Sequence, residues 1–145
     1  MTKSRKIIQH KRKVNDFEWL KSNIDFELVY KNGQTIVSKD KKLKAKYFFL
    51  DNEKNCKVKA GISISSDKGN SVWRNRLKRI FREAIRKEKE ALSAIARQKN
   101  ACLLIILSPH SINEVSLNKI YFKDIATSFF EILIRLKEPA LFGQK

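Results

Sequence analysis

SVWRNRLKRIFREAIRK, residues Ser71–Lys87, interleaves basic and apolar side chains at a spacing close to one helical turn. At about 100° per residue, Trp73, Leu77, Ile80, Phe81, Ala84 and Ile85 fall in one sector. Lys78, Arg82, Asn75, Arg86, Arg79, Arg76 and Lys87 fill the other, with Glu83 its lone acid. Arg74 projects at the edge of the apolar sector, where a guanidinium at a helix start can snorkel outward. So wide an apolar sector needs something to cover, and the neighbouring segments read as strands.

Lys46–Leu50 and Cys56–Ile64 flank the turn Asp51–Asn55 and look like an antiparallel hairpin; the second half of Cys56–Ile64 alternates apolar with small polar residues. Ala101–Ser108, rich in Leu and Ile, reads as a buried strand stopped by Pro109. Ser22-Asn-Ile-Asp fits a capping box and Gly33 a C′ residue, which predicts a helix from Asn23 to Asn32. Gln34–Lys44 reads as an exposed, lysine-rich loop with a short strand at Thr35–Val37. The opening stretch, capped by Asn70 or Ser71, is expected to continue as one helix to about Arg97. A last amphipathic helix is expected over Ser116–Lys137, with Leu117, Ile120, Tyr121, Ile125, Phe129, Ile132, Leu133 and Leu136 on its apolar side, ended by Pro139. The order is that of an α+β sandwich with helices against one sheet.

With 145 residues, the chain suits one core: a basic arm over residues 1–19, a single domain over 20–138 and a tail over 139–145. Lys and Arg number 32 against 15 Asp and Glu, a formal charge of +17. That imbalance opposes compaction unless a polyanion offsets it, and nucleic acid comes first. The longest apolar run, Ala101–Leu107, is too short to cross a bilayer, and MTKSRKIIQHKRK lacks the apolar centre of a secretion signal, so a cytoplasmic protein is expected. Cys56 and Cys102 lack metal-ligand spacing and read as free thiols.

The plain alternative for the basic sector is a solvated face. Solvated helices mix signs, because like charges four apart repel, whereas this one stacks Lys78, Arg82 and Arg86. The basic end also lies at the helix amino terminus, where the macrodipole disfavours cations and favours bound phosphate. Arginine holds two phosphate oxygens or stacks on a base, and Asn75 suits a base edge or 2′-hydroxyl.

Arg74-Asn75-Arg76-Leu77-Lys78-Arg79 followed by Arg82-Glu83 resembles the RNR signature of the bacterial ribonuclease P protein subunit. The likeness extends through Ser63-Ile64-Ser65 and Gly69-Asn70-Ser71-Val72, and to Asp25-Phe26 with Val29-Tyr30 and Gly33. It implies an αβββαβα two-layer sandwich, ribosomal-protein-S5-domain-2-like, with a left-handed βαβ crossover where handedness rules favour right. It also implies binding to the catalytic RNA of ribonuclease P and to the 5′ leader of precursor tRNA, with the RNA and its Mg²⁺ cutting the phosphodiester bond. No membrane or small-molecule partner is implied. His10 and His110 lie far apart, and no carboxylate pair has metal-ligand spacing, which agrees with RNA-borne chemistry.

Carried over by position, Arg74, Asn75, Arg76, Lys78, Arg79 and Arg82 match the part of the signature that faces the RNA subunit, and Lys68 and Arg86 join them. Phe26 and Tyr30 match the aromatics of the leader cleft, with Phe48 joining from the sheet; the alternative for both helix aromatics is ordinary core. The chain departs from the family where two basic residues usually follow the strand: here stand Ser66-Asp67, with Lys68 next. Gln34–Lys44 is longer than usual, and the basic arm has no clear counterpart. A structural or ribosomal RNA-binding module would use the same basic helix, a self-sufficient nuclease would cleave without added RNA, and a helix-turn-helix DNA reader would need a short helical partner that this helix lacks.

Overall fold

A computed structural model describes residues 17–51 and 57–137. The strands are β1 (Phe17–Trp19), β2 (Gln34–Val37), β3 (Leu43–Asp51), β4 (Val58–Ile62) and β5 (Ala101–Pro109). The helices are α1 (Asn23–Asn32), α2 (Ser71–Lys87), α3 (Lys89–Lys99) and α4 (Phe122–Lys137), with a 3₁₀ turn at Ser66–Lys68. The sheet order is β1-β4-β5-β3-β2, in which β1 and β5 run parallel to β4, while β3 runs antiparallel to both β5 and β2.

The expected hairpin between the Lys46 and Val58 strands is not formed. β5 lies between them, pairing Tyr47 with Ile105 on one side and Ala60 with Ile105 on the other. An uninterrupted apolar strand is best buried on both faces, so it takes the centre and separates two less apolar strands. The hairpin is instead β2–β3, whose turn has Lys41 at φ 64° and the Lys41 N–H donating to the Ser38 carbonyl at 2.8 Å. Phe17–Trp19, placed by composition in the arm, pairs as an edge strand with Val58–Ala60. The rest of the arm with His10, the turn residues 52–55, Cys56 and Pro139 lie outside the described residues.

Alternation on β5 divides the interior. Leu103, Ile105 and Leu107 join α2, α3 and α4 in the larger core around Phe81 and Phe129; Cys102, Leu104 and Ile106 meet Leu20, Val29, Phe26 and Phe48 on the opposite face, under α1. Burial pushes the Cys102 thiol above its ordinary range, and the thiol is free.

Four helix ends differ from expectation, two in extent and two, at α1, in how they are capped. The long helix breaks at Glu88 (φ −105°, ψ 20°), which separates α2 from α3 with no glycine or proline to mark the place. α4 starts at Phe122: Asn113 and Ser116 exchange side-chain-to-backbone bonds at 2.9 and 3.1 Å that cap a single turn, closed by the Leu117 N–H on the Asn113 carbonyl at 2.8 Å, and that turn does not continue into the helix. At α1, Ser22 Oγ accepts from the Ile24 and Asp25 N–H groups, but Asp25 reaches Lys59 Nζ at 3.3 Å and does not complete the box. Gly33 is extended (φ −81°) and no left-handed cap. Its missing side chain serves close approach: a Cβ there would lie 2.5 Å from the Val29 carbonyl oxygen and 2.6 Å from that of Tyr47.

Asp40 ties the β2–β3 turn to α4. Ser38 Oγ and Ser128 Oγ each donate to it at 2.6 Å, and the Lys42 N–H donates at 3.1 Å. Burial pushes the carboxyl up, but the donors from Ser128, Ser38 and Lys42 outweigh it and hold the acid below the ordinary aspartate value of 3.8. A depressed folded value stabilises above the unfolded one, and this contribution is lost as pH falls below about 3.8. Asp40→Ala is expected to cost only about 1 kcal/mol at pH 7, since Ser128 Oγ keeps the Asp124 carbonyl as a partner. Urea melts at pH 7 and pH 3 should show the gap between the two proteins shrinking at the lower pH.

Candidate nucleic-acid interface

α2 carries the first surface. Trp73, Leu77, Phe81, Ala84 and Ile85 are buried, and Asn75, Arg76, Arg79, Arg82 and Arg86 are exposed on the side turned from the sheet, as the wheel requires. Lys78 is half-buried. Arg86 lies over the Trp19 ring at 5.7 Å, so the edge strand supports one flank of the cationic face. Arg74 does not snorkel freely: its Nε donates to the Gly69 carbonyl at 3.0 Å, which ties the guanidinium to the loop entering the helix.

That loop sets where α2 begins. Asn70 Oδ1 accepts from the Trp73 N–H at 2.9 Å, while Glu114 accepts from the Asn70 N–H at 2.9 Å and from its side-chain amide at 3.2 Å. Gly69 is extended, and a Cβ there would lie 2.6 Å from Trp73 Cε3 and 2.9 Å from Glu114 Cβ, so packing alone requires glycine. In Ser66-Asp67-Lys68, Asp67 accepts a short hydrogen bond from Ser65 Oγ, which lowers its carboxyl from the ordinary value and keeps an anion at the surface.

The second surface is a cleft of about 240 Å³ on the α1 side of the sheet, lined by Tyr30, Lys44, Lys46, Ser63, Ser65 and Lys68, with Thr35, Ser108 and Pro109. Tyr30 is 46% exposed, with Lys46 Nζ 5.7 Å from its ring centroid. Lys68 Nζ donates to the His110 carbonyl at 3.2 Å. The chain thus brings Lys68 to the cleft with Tyr30 rather than onto the arginine face. Phe26 stacks against Tyr30, centroids 6.4 Å apart and planes at 23°, but like Phe48 it is half-buried against the smaller core cluster.

Sequence reading missed Lys44 and Lys46 as cleft residues because Lys44 falls in a stretch that reads as a loop. The signal was present in alternation: Leu43, Ala45 and Tyr47 point to the large core, which sends Lys44, Lys46 and Phe48 to the other face. Ser65 and Lys68 line the cleft, and Gly69-Asn70 leads directly into α2, so the two surfaces meet at this loop. Among the described residues, no three of His, Cys, Asp and Glu gather so as to hold a metal ion, and no helix is long and apolar enough to cross a membrane.

A family model described as Ribonuclease P matches residues 14–136. The chain is similar to the Ribonuclease P protein component of Bacillus velezensis, 40% identical over 73 residues that cover 50% of this chain and 60% of that protein. It is 38% identical to that of Macrococcus caseolyticus over 74 residues, 49% of this chain and 58% of that one. The chain thus spans about three fifths of the length of these two relatives. Its fold resembles the RNase P protein from Thermotoga maritima with a TM-score of 0.63 at 20% identity, covering 81% of this chain and 96% of that one.

Proposed function

The chain belongs to the ribonuclease P protein family, and from that premise we propose that it is the protein subunit of a bacterial ribonuclease P. In this reading the arginine face of α2 binds the catalytic RNA subunit, the cleft beside α1 takes the 5′ leader of precursor tRNA, and the RNA carries out cleavage. The observation that carries the proposal is the meeting of two differently built cationic surfaces at Lys68–Asn70. One has arginine forks and Asn75 on a rigid helix, suited to a folded RNA backbone. The other has lysines and serines around an exposed tyrosine, suited to a flexible strand whose phosphates need neutralising and whose bases can stack.

The chain supplies binding and positioning. On the same premise, the Mg²⁺ of the reaction is proposed to act through the RNA. On that premise we also propose that the protein is a non-catalytic subunit working in the cytoplasm.

The test is discrimination between substrates. Protein assembled with a bacterial ribonuclease P RNA should bind leader-bearing precursor tRNA more tightly than leaderless tRNA. Equal affinities would favour the other reading, a structural or ribosomal RNA-binding module that uses the same helix.

A further inference from the structure

Helical spacing groups Tyr121 with Ile120, Ile125 and Phe129 as core, yet its side chain is 57% exposed, since α4 begins only at the next residue. The preceding segment is fastened along α2 at three levels. Glu114 holds Asn70 at the amino end, the Leu117 carbonyl accepts from the Trp73 indole N–H at 3.0 Å, and Lys87 Nζ at the carboxyl end lies 5.8 Å from the Phe122 ring centroid. From Asn70 to Lys87 the helix rises about 25 Å, and eight residues from Glu114 to Phe122 reach about 28 Å when extended. The segment therefore tracks the helix for most of its length.

Between the two lies a hollow of about 110 Å³ lined by Arg76 on α2 and Asn118 on the segment. Beyond it the segment exposes Lys119 and Tyr121, and Lys123 follows in the first turn of α4. A tyrosine more than half exposed between two exposed lysines, on a segment that meets Arg76, has the composition of a stacking platform with phosphate anchors.

We propose that residues 115–121 form a second wall of the RNA-subunit interface, in which Tyr121 stacks on an unpaired base and Lys119 holds a neighbouring phosphate. This rests on the RNA-binding reading above. The RNA subunit is the partner because Arg76 of the α2 face shares the hollow with Asn118 of the segment, whereas the cleft assigned to the leader lies across the sheet.

The experiment titrates a bacterial ribonuclease P RNA with Tyr121→Ala, Tyr121→Phe, Lys119→Ala and, as reference, Arg79→Ala, across a salt series. Tyr121→Ala should bind about tenfold more weakly at every salt concentration with an unchanged log–log slope, because stacking releases no counterions. Tyr121→Phe should bind like the parent. Lys119→Ala should lower the slope by about 0.7–0.9. Where alanine lowers the melting temperature, Tyr121→Leu replaces it, keeping bulk without the π-face. If the Tyr121 variants bind within twofold of the parent while Arg79→Ala binds weakly, this inference is overturned and the RNA-binding reading stands. If Arg79→Ala is also unchanged, the RNA-binding reading fails with it.

Discussion

Replacing Arg76 and Arg79 together by alanine is expected to weaken RNA-subunit binding on the order of 100-fold at moderate salt, about 3 kcal/mol for two charge-assisted hydrogen-bonded pairs. The log–log slope of affinity against salt should fall by about 0.7–0.9 for each phosphate no longer neutralised. Both side chains are exposed on α2, so the melting temperature should hardly move. The combination separates phosphate binding from any structural role: an unchanged slope would mean that neither arginine touches phosphate. Arg74 would not serve as the same probe, because its bond to the Gly69 carbonyl makes it part of the helix entry.

Phe26→Ala is expected to cost about 2–3 kcal/mol of stability, somewhat less than a fully buried phenylalanine. The ring packs with Leu20, Val29 and Leu104 under α1, and its Cζ lies 3.1 Å from where a Cβ on Gly61 would sit. Core is thus a large part of its role, and a change in leader affinity on its removal would mix two causes. Tyr30, one turn on and exposed, separates them. Tyr30→Ala should leave the melt nearly unchanged and weaken leader-bearing precursor binding by about 1–2 kcal/mol, with RNA-subunit affinity retained. Parallel melts and binding curves check this, and unaltered precursor binding by Tyr30→Ala would show that the cleft does not stack on leader bases.

The parts of the fold that were legible in the sequence are those where a single period dominates. α1 runs over Asn23–Asn32, the bounds expected, with the Ser22 cap formed but the box and the left-handed Gly33 cap not, and the two sectors of α2 separate as the wheel divides them. Strand partners were less legible, because pairing is decided by burial across the whole sheet: the apolar Ala101–Pro109 strand takes the centre, which no local feature of Lys46–Leu50 or Cys56–Ile64 reveals. The break at Glu88 has no glycine or proline to announce it, and the helical signal at Asn113–Leu117 is spent on one capped turn that ends before α4 begins. At the candidate site, the arginine face could be read because it sits on one helix. The cleft assembles α1, β2, β3, β5 and the loop after β4, so only Tyr30 of the three aromatics proposed from sequence lines it, together with lysines and serines that no linear motif links.

The most direct measurement is precursor tRNA cleavage by a bacterial ribonuclease P RNA at low Mg²⁺, with and without this protein. Stimulation over the RNA alone, reduced by the Arg76→Ala/Arg79→Ala variant, is the predicted result; cleavage no faster with the protein than without it would contradict its role as the protein subunit.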